Sequence, residues 1–249
     1  MNLKVEEQIK QIIGSEEEYI VGFAHLAGLV PEVYGNHHYG IVIGKKLSDR
    51  IIDAIELGPT LEYRQYYYQV NRDLSALSHK IADELATMNI SCVVIEPTVK
   101  DDELDDEYYR TLRTDFSHKM AATRAGLGWI GKTALFISKK FGPRLRLVTI
   151  LTDHPFECAN SPIEESRCGK CQVCVEKCPA QAANGKSWNV NLDRDEFFNA
   201  FKCREKCLDL AWKHLQQRTS ICGICVSVCP MGKSMPYHVS HFTDIGGGR

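Results

Sequence analysis

Long hydrophobic runs are missing from this sequence. No apolar stretch approaches the ~20 residues a helix needs to cross a bilayer. The opening Met1-Asn2-Leu3-Lys4 has no signal-peptide character. The expectation is therefore a cytoplasmic, reducing setting, where clustered cysteines bind metal instead of pairing. Charge of one sign is scarce as well: 30 Lys and Arg stand against 32 Asp and Glu, a formal net charge of −2. That excludes the broad basic surface on which nonspecific nucleic-acid binding depends. A local basic stretch, Lys139, Lys140, Arg144 and Arg146, reads as a solvated face. The acidic run from Asp101 to Glu107 lacks the loop glycine of a calcium hand and reads as a surface segment. His37 and His38 are adjacent, point opposite ways in an extended chain, and read as loop histidines.

Cysteine is what the chain has in excess. Of its 11 cysteines, only Cys92 and Cys158 lie outside the stretch from Cys168 to Cys229. Cys92 reads as a buried thiol within a strand. Two runs organise the rest: Cys168-x2-Cys171-x2-Cys174-x3-Cys178-Pro179 and Cys222-x2-Cys225-x3-Cys229-Pro230. The first run has the bacterial ferredoxin spacing, in which the fourth cysteine serves the other of two [4Fe–4S] clusters. Each two-residue gap lets the backbone curl so that successive thiolates face one cluster, and the proline after each run turns the chain away. Cluster A then takes Cys168, Cys171, Cys174 and Cys229. Cluster B takes Cys178, Cys222, Cys225 and one further ligand. The second run has Thr219 where that ligand would stand. Cys203 is the favoured replacement and Cys207 the reserve. Four cysteines within eleven residues suit a tetrahedral zinc site poorly, since such sites use two separated pairs. Bound clusters make the protein more acidic, because four thiolates around a core of charge 2+ contribute roughly −2 each.

A two-cluster module needs only a short segment, so the remainder must form a conventional core. The expected division is residues 1–153 as an α/β (α+β) cofactor-binding domain, 154–235 as the ferredoxin-like module and 236–249 as a tail. Leu3 to Ile13 reads as an amphipathic helix. Tyr19–Ala24, Tyr39–Ile43 and Ile90–Glu96 read as strands. Tyr63, Tyr66, Val70, Leu74, Leu77, Ile81, Leu85 and Met88 recur at steps of three and four and predict one long helix over 60–88. Within it Tyr66, Tyr67 and Tyr68 read as core plus surface. A helix through Met120, Ala121 and Ala122 precedes a glycine-rich stretch, and strands at Ala134–Ser138 and Leu145–Leu151 follow.

Gly126-x-Gly128-x-x-Gly131 has the spacing of a dinucleotide fingerprint in the wrong context. That fingerprint follows a strand and opens a helix; this one follows a helix and leads into a strand. Three glycines in six residues still allow close backbone approach. Trp129 offers a flat face beside them for a large planar cofactor, or else sits in the core of a tight helix-to-strand turn.

With Arg124-Ala-Gly-Leu-Gly-Trp-Ile-Gly-Lys132 and both cysteine runs in place, the chain resembles the epoxyqueuosine reductase family from about Asp115 to Pro230. The resemblance implies a nitroreductase-like N-terminal fold carrying cobalamin beside the two-cluster module, an architecture shared with corrinoid reductive dehalogenases. It places Gly126, Gly128, Trp129 and Gly131 near the corrinoid. It implies electron transfer through the clusters to cobalt, reduction of an electrophilic substrate, and a carboxylic acid upstream of the glycine motif as proton donor. Asp115 is the candidate acid, and His118 the alternative. It also implies an electron-donor protein and a substrate that is epoxyqueuosine in tRNA or a related small molecule. The likeness is to a short form without the family's C-terminal helical-repeat domain. Two other readings fit the residues: a cobalamin-free electron-transfer protein and a flavin-dependent reductase.

Overall fold

Ile41, Val42 and Ile43 are consecutive and none is exposed, so the strand that holds them is covered on both faces. A strand covered on one face alternates apolar with polar; one covered on both reads as an unbroken apolar run. In the computed structural model, which describes residues 4–158 and 162–233, this is the second strand of a four-stranded sheet. Its strands are β1 (Tyr19–His25), β2 (Tyr39–Lys46), β3 (Cys92–Ile95) and the late β6 (Leu145–Thr152), in the order β1-β2-β6-β3. Every pairing is antiparallel, with Val42 opposite Thr149 and Val94 opposite Ile150. The sheet with its segregated helices makes the architecture α+β.

One face of the sheet packs Ile41, Ile43, Val148 and Ile150 against α1 (Val5–Ile13) and α3 (Leu61–Thr87), with α2 (Asp49–Asp53) alongside. α3 is the long periodic helix, and Tyr63, Val70, Leu74, Ile81 and Leu85 form its buried stripe. The Thr60 hydroxyl caps it by accepting the Tyr63 N–H at 3.1 Å, which settles its start. Tyr66, Tyr67 and Tyr68 part ways as three successive residues of a helix must: the Tyr66 hydroxyl accepts the Ser48 N–H, Tyr67 packs under Arg146, and Tyr68 is exposed. The other face packs Val42 and Leu151 on Ala121 and Ala122 of α5 (His118–Arg124); α4 (Asp106–Thr111) precedes it.

The glycine motif is the turn out of α5. Gly126 adopts φ +69°, and the chain enters a two-stranded ribbon of β4 (Gly128–Ile130) and β5 (Phe136–Ser138). A Cβ on Gly128 would stand 2.1 Å from the Ile137 carbonyl oxygen, so no side chain fits there. A third core joins this ribbon to the cysteine-rich half through Trp129, Ile137, Ile163, Trp188 and Phe197. That half contains α7 (Ala200–Leu215) and two short helical turns, α6 (Val173–Glu176) and α8 (Ile224–Ser227), which carry Cys174 and Cys225. Polar ties reinforce the join. Arg194 donates to the carbonyls of Thr111 and Leu112 at 2.6 Å each, and Arg113 pairs with Asp193 and Asp195.

The basic stretch divides: Lys139 and Lys140 are exposed, whereas Arg144 and Arg146 are not part of a solvated face. Arg144 is 1% exposed, and its guanidinium donates to Asp49 at 2.8 Å, to Asp53 and to the Ser227 carbonyl. Arg146 donates to the Asn71 side chain and the Pro97 carbonyl, both at 2.9 Å. The expected tail at 236–249 lies outside the described residues. Among the described residues no helix is long and apolar enough to cross a membrane.

Candidate functional site

The cysteines expected to hold the two clusters lie near one another. Cys174 lies within electrostatic reach of Cys168 and Cys171, and Cys229 within reach of all three. Cys225 lies within reach of Cys222, Cys203, Cys174 and Cys178, so the two expected groups adjoin. Cys203 and Cys207 stand one turn apart on α7 with their sulfurs 4.0 Å apart, and Cys207 also hydrogen-bonds Cys222. The turns that aim the first group are local: the Cys171 N–H donates to the Cys168 carbonyl at 3.1 Å, with Gly169 at φ +54° between them.

Burial and the mutual repulsion of thiolates push Cys225 up, and Cys229 to about 11. Ligating sulfurs must be deprotonated. A cationic iron–sulfur core offsets that burial and repulsion, so the donor set fits the group its spacing implies. Among the described residues no three His, Cys, Asp or Glu side chains converge on a single ion. Cys203 and Cys222 are shifted downward mainly by hydrogen bonds with Cys207, whose own thiol is shifted upward by the same contacts and by burial.

A cavity of about 560 Å³ lies between the two halves. Its walls from the first half include Phe116, Phe136, Leu145, Leu147, Tyr67 and Lys119. From the second half come Cys178, Cys203, Cys207, Cys222 and Cys225. The cluster B cysteines therefore face this space. Cys168, Cys171, Cys174 and Cys229 do not line it. Lys119, Arg146, Arg194, Arg204 and Lys206 line the cavity, and among the described residues no carboxylate does.

The remaining sequence candidates divide. His118 lines the cavity, but both ring nitrogens are engaged, Nδ1 with the Thr149 hydroxyl and Nε2 with the Glu96 carbonyl, each at 2.9 Å. Burial pulls its pKa down to about 4, so the imidazole is neutral near pH 7 and has no proton to spare. Asp115 is exposed and does not line the cavity. Gly126, Gly128, Trp129 and Gly131 do not line it either. Trp129 is 5% exposed, and its indole Nε1 donates to Cys168 Sγ at 3.4 Å. The setting of these four residues is thus the helix-to-strand turn, with the Trp129 ring in the ribbon's third core, the second of the two settings expected for it.

Lys119 is the cavity residue that sequence reasoning passed over. Its Nζ donates to the Ala134 carbonyl at 2.8 Å. Burial, with Arg194 and Arg113 nearby, pulls its pKa down to about 8. The available signal was its place one residue after His118, at the start of the helix that enters the glycine motif.

Comparison with known proteins agrees with this arrangement. Residues 167–232 match the family model described as a 4Fe-4S double cluster binding domain. The epoxyqueuosine reductase of Bacillus anthracis is 30% identical over 130 residues, which is 50% of this chain and 32% of that protein. The matched stretch thus spans about a third of that relative. A catabolic reductive dehalogenase solved with 3-bromo-4-hydroxybenzoic acid superimposes with a TM-score of 0.65 at 18% identity, covering 92% of this chain and 32% of that one. An epoxyqueuosine reductase solved with an epoxyqueuosine-modified tRNA-Tyr stem loop gives a TM-score of 0.57 at 18% identity, covering 94% and 66%. These superpositions establish the fold. Residues 167–232 thus match a double [4Fe–4S] cluster binding domain, and about half of the chain is similar in sequence to epoxyqueuosine reductases.

Proposed function

We propose that this protein is an iron–sulfur reductase in which electrons pass through two [4Fe–4S] clusters to a corrinoid held in the cavity between the halves. The substrate is an electrophile, epoxyqueuosine in tRNA or a related compound. One observation carries the reading: the cluster B cysteines form one wall of a cavity whose other walls belong to the sheet half. In this reading residues 1–153 hold the cofactor, 154–235 hold the clusters, and a separate donor protein supplies the electrons.

The ligand sets follow the two groups, with Cys203 completing cluster B. The apolar walls at Phe116, Phe136, Leu145 and Leu147 fit a broad apolar-faced cofactor, and sites of this kind recur at the junction of two structural units. When bound there, a corrinoid supplies a reducible cobalt centre able to deliver electrons to an electrophilic carbon. The chain's own contribution is to exclude water, to orient the substrate and to hold a proton. With no carboxylate on the cavity wall among the described residues, Lys119 Nζ is the group suited to hold that proton near neutral pH.

Anaerobic purification with cobalamin supplied, followed by iron, cobalt and flavin analysis, tests the whole reading. About eight irons and one cobalt per chain are expected. Eight irons with neither cobalt nor flavin would remove the corrinoid and leave the electron carrier; flavin without cobalt would favour the flavin reductase.

The proton assignment has its own test. Lys119→Met loses turnover by about 10²-fold or more, the usual contribution of a positioned acid. Asp115→Asn stays near wild type. Lysine donates only as the ammonium, so wild-type turnover falls as pH rises through about 8. An unchanged rate in Lys119→Met, or a profile flat across that range, rules the lysine out as donor.

A further inference from the structure

The stretch from Trp129 to Thr133 reaches the first group of cysteines. Three successive donors from this one ribbon reach that group. The Trp129 indole N–H donates to Cys168 Sγ at 3.4 Å. The Lys132 ammonium, 2% exposed, donates to the carbonyls of Gly169 and Cys171 at 3.0 and 2.9 Å. The Thr133 hydroxyl, also buried, hydrogen-bonds the Cys174 thiol. Gly131 lies beside this group, its Cβ position 3.6 Å from Cys168 Sγ.

A buried ammonium is costly unless something nearby compensates it. Here carbonyl dipoles meet it directly, and the charge that stands behind them is that of a four-thiolate cluster. Reduction adds one electron and takes such a cluster from roughly −2 to roughly −3. A fixed positive charge favours the more negative state, and so do hydrogen bonds donated to the sulfurs. All three groups act in the same direction.

We propose that Trp129, Lys132 and Thr133 raise the reduction potential of the cluster held by Cys168, Cys171, Cys174 and Cys229. They act as positioning residues through its ligands, since each of these hydrogen bonds reaches the segment from Cys168 to Cys174. The proposal rests on the two-cluster reading above. The physical consequence is that this cluster retains an incoming electron more readily than its thiolates alone would allow.

The test is an anaerobic redox titration of the full cluster-loaded chain against dithionite, followed by electron paramagnetic resonance. Lys132→Met, Lys132→Arg and Trp129→Phe are compared with wild type, with iron counted in every sample. The expected result is that one of two reduction waves moves to lower potential in Lys132→Met and Trp129→Phe, and recovers in Lys132→Arg. Its reduced-to-oxidised ratio at fixed potential falls roughly tenfold, ~59 mV for one electron. Waves that stay in place at full iron content, or that move together, overturn the proposal. Loss of iron in Lys132→Met with an unmoved potential in Trp129→Phe also overturns it, since the lysine would then be a clamp on the loop. A wild-type chain that binds no iron would instead defeat the two-cluster reading.

Discussion

Replacing Cys203 with serine lowers the iron content from about eight atoms per chain to about four and abolishes turnover, whereas Cys207→Ser keeps about eight. The two thiols share a helix face on α7, their sulfurs are 4.0 Å apart, and both line the cavity, so position alone does not separate them. Their hydrogen bonds do. Cys207, 8% exposed, contacts both Cys203 and Cys222, and its thiol is driven upward while theirs are driven downward. A cluster ligand must be the thiolate, and the reading that keeps Cys207 as the thiol leaves Cys203 and Cys222 as the expected ligands. Serine at 207 retains an O–H donor in place of the S–H. Serine at 203 removes a ligand, and the cluster lost is the one facing the cavity, so electrons have no route to the substrate. Iron and acid-labile sulfide analysis of anaerobic preparations reads the result. Four irons in Cys207→Ser and eight in Cys203→Ser would exchange the two roles.

The legible part of this protein was local. Thiolates with two residues between them can curl toward one centre, and the spacing of Cys168, Cys171 and Cys174 says so without help from the fold. The stripe from Tyr63 to Leu85 announced α3, and the order helix–glycines–strand separated Gly126–Gly131 from a dinucleotide fingerprint. What escaped was set by contacts distant in sequence. Trp129 reaches Cys168 and Lys132 reaches Cys171, each across 39 residues. Arg144 reaches Asp49 across 95. No periodicity within one element encodes such pairings. A weak signal did exist for the arginines: Arg144 and Arg146 stand two apart at the entry to a strand, where residues of that spacing share a face. A solvated basic run on a helix or loop carries no such alternation.

Arg144 provides the largest expected change in stability. Arg144→Met destabilises the cluster-loaded protein by roughly 3 kcal/mol, at the low end for breaking a buried ion pair. The guanidinium is 1% exposed, while its partners Asp49 and Asp53 are 28% and 58% exposed. Water can therefore recover part of what the carboxylates lose, and Lys46 still pairs with Asp49 at 3.2 Å. Burial alone would raise Asp49, yet hydrogen bonds from Arg144 and Lys46 hold it below the ordinary carboxylate range. A depressed carboxylate contributes stability above its unfolded pKa, and that contribution disappears as pH falls through the folded value. The difference between wild type and Arg144→Met thus narrows in acid. Arg144 also donates to the Ser227 carbonyl at 3.3 Å, between Cys225 and Cys229. One side chain accordingly ties α2 to the strand-side chain and to the loop that serves both clusters. Lysine is a poor substitute, because a single ammonium cannot span three acceptors as a planar fork does. Arg144→Lys is expected to recover less than half of the loss. Urea unfolding under anaerobic conditions, at neutral pH and below pH 3.8, measures both claims. A change within ~0.5 kcal/mol of wild type is the scale of an ordinary surface substitution, and would mean that the buried guanidinium does not hold the two halves together.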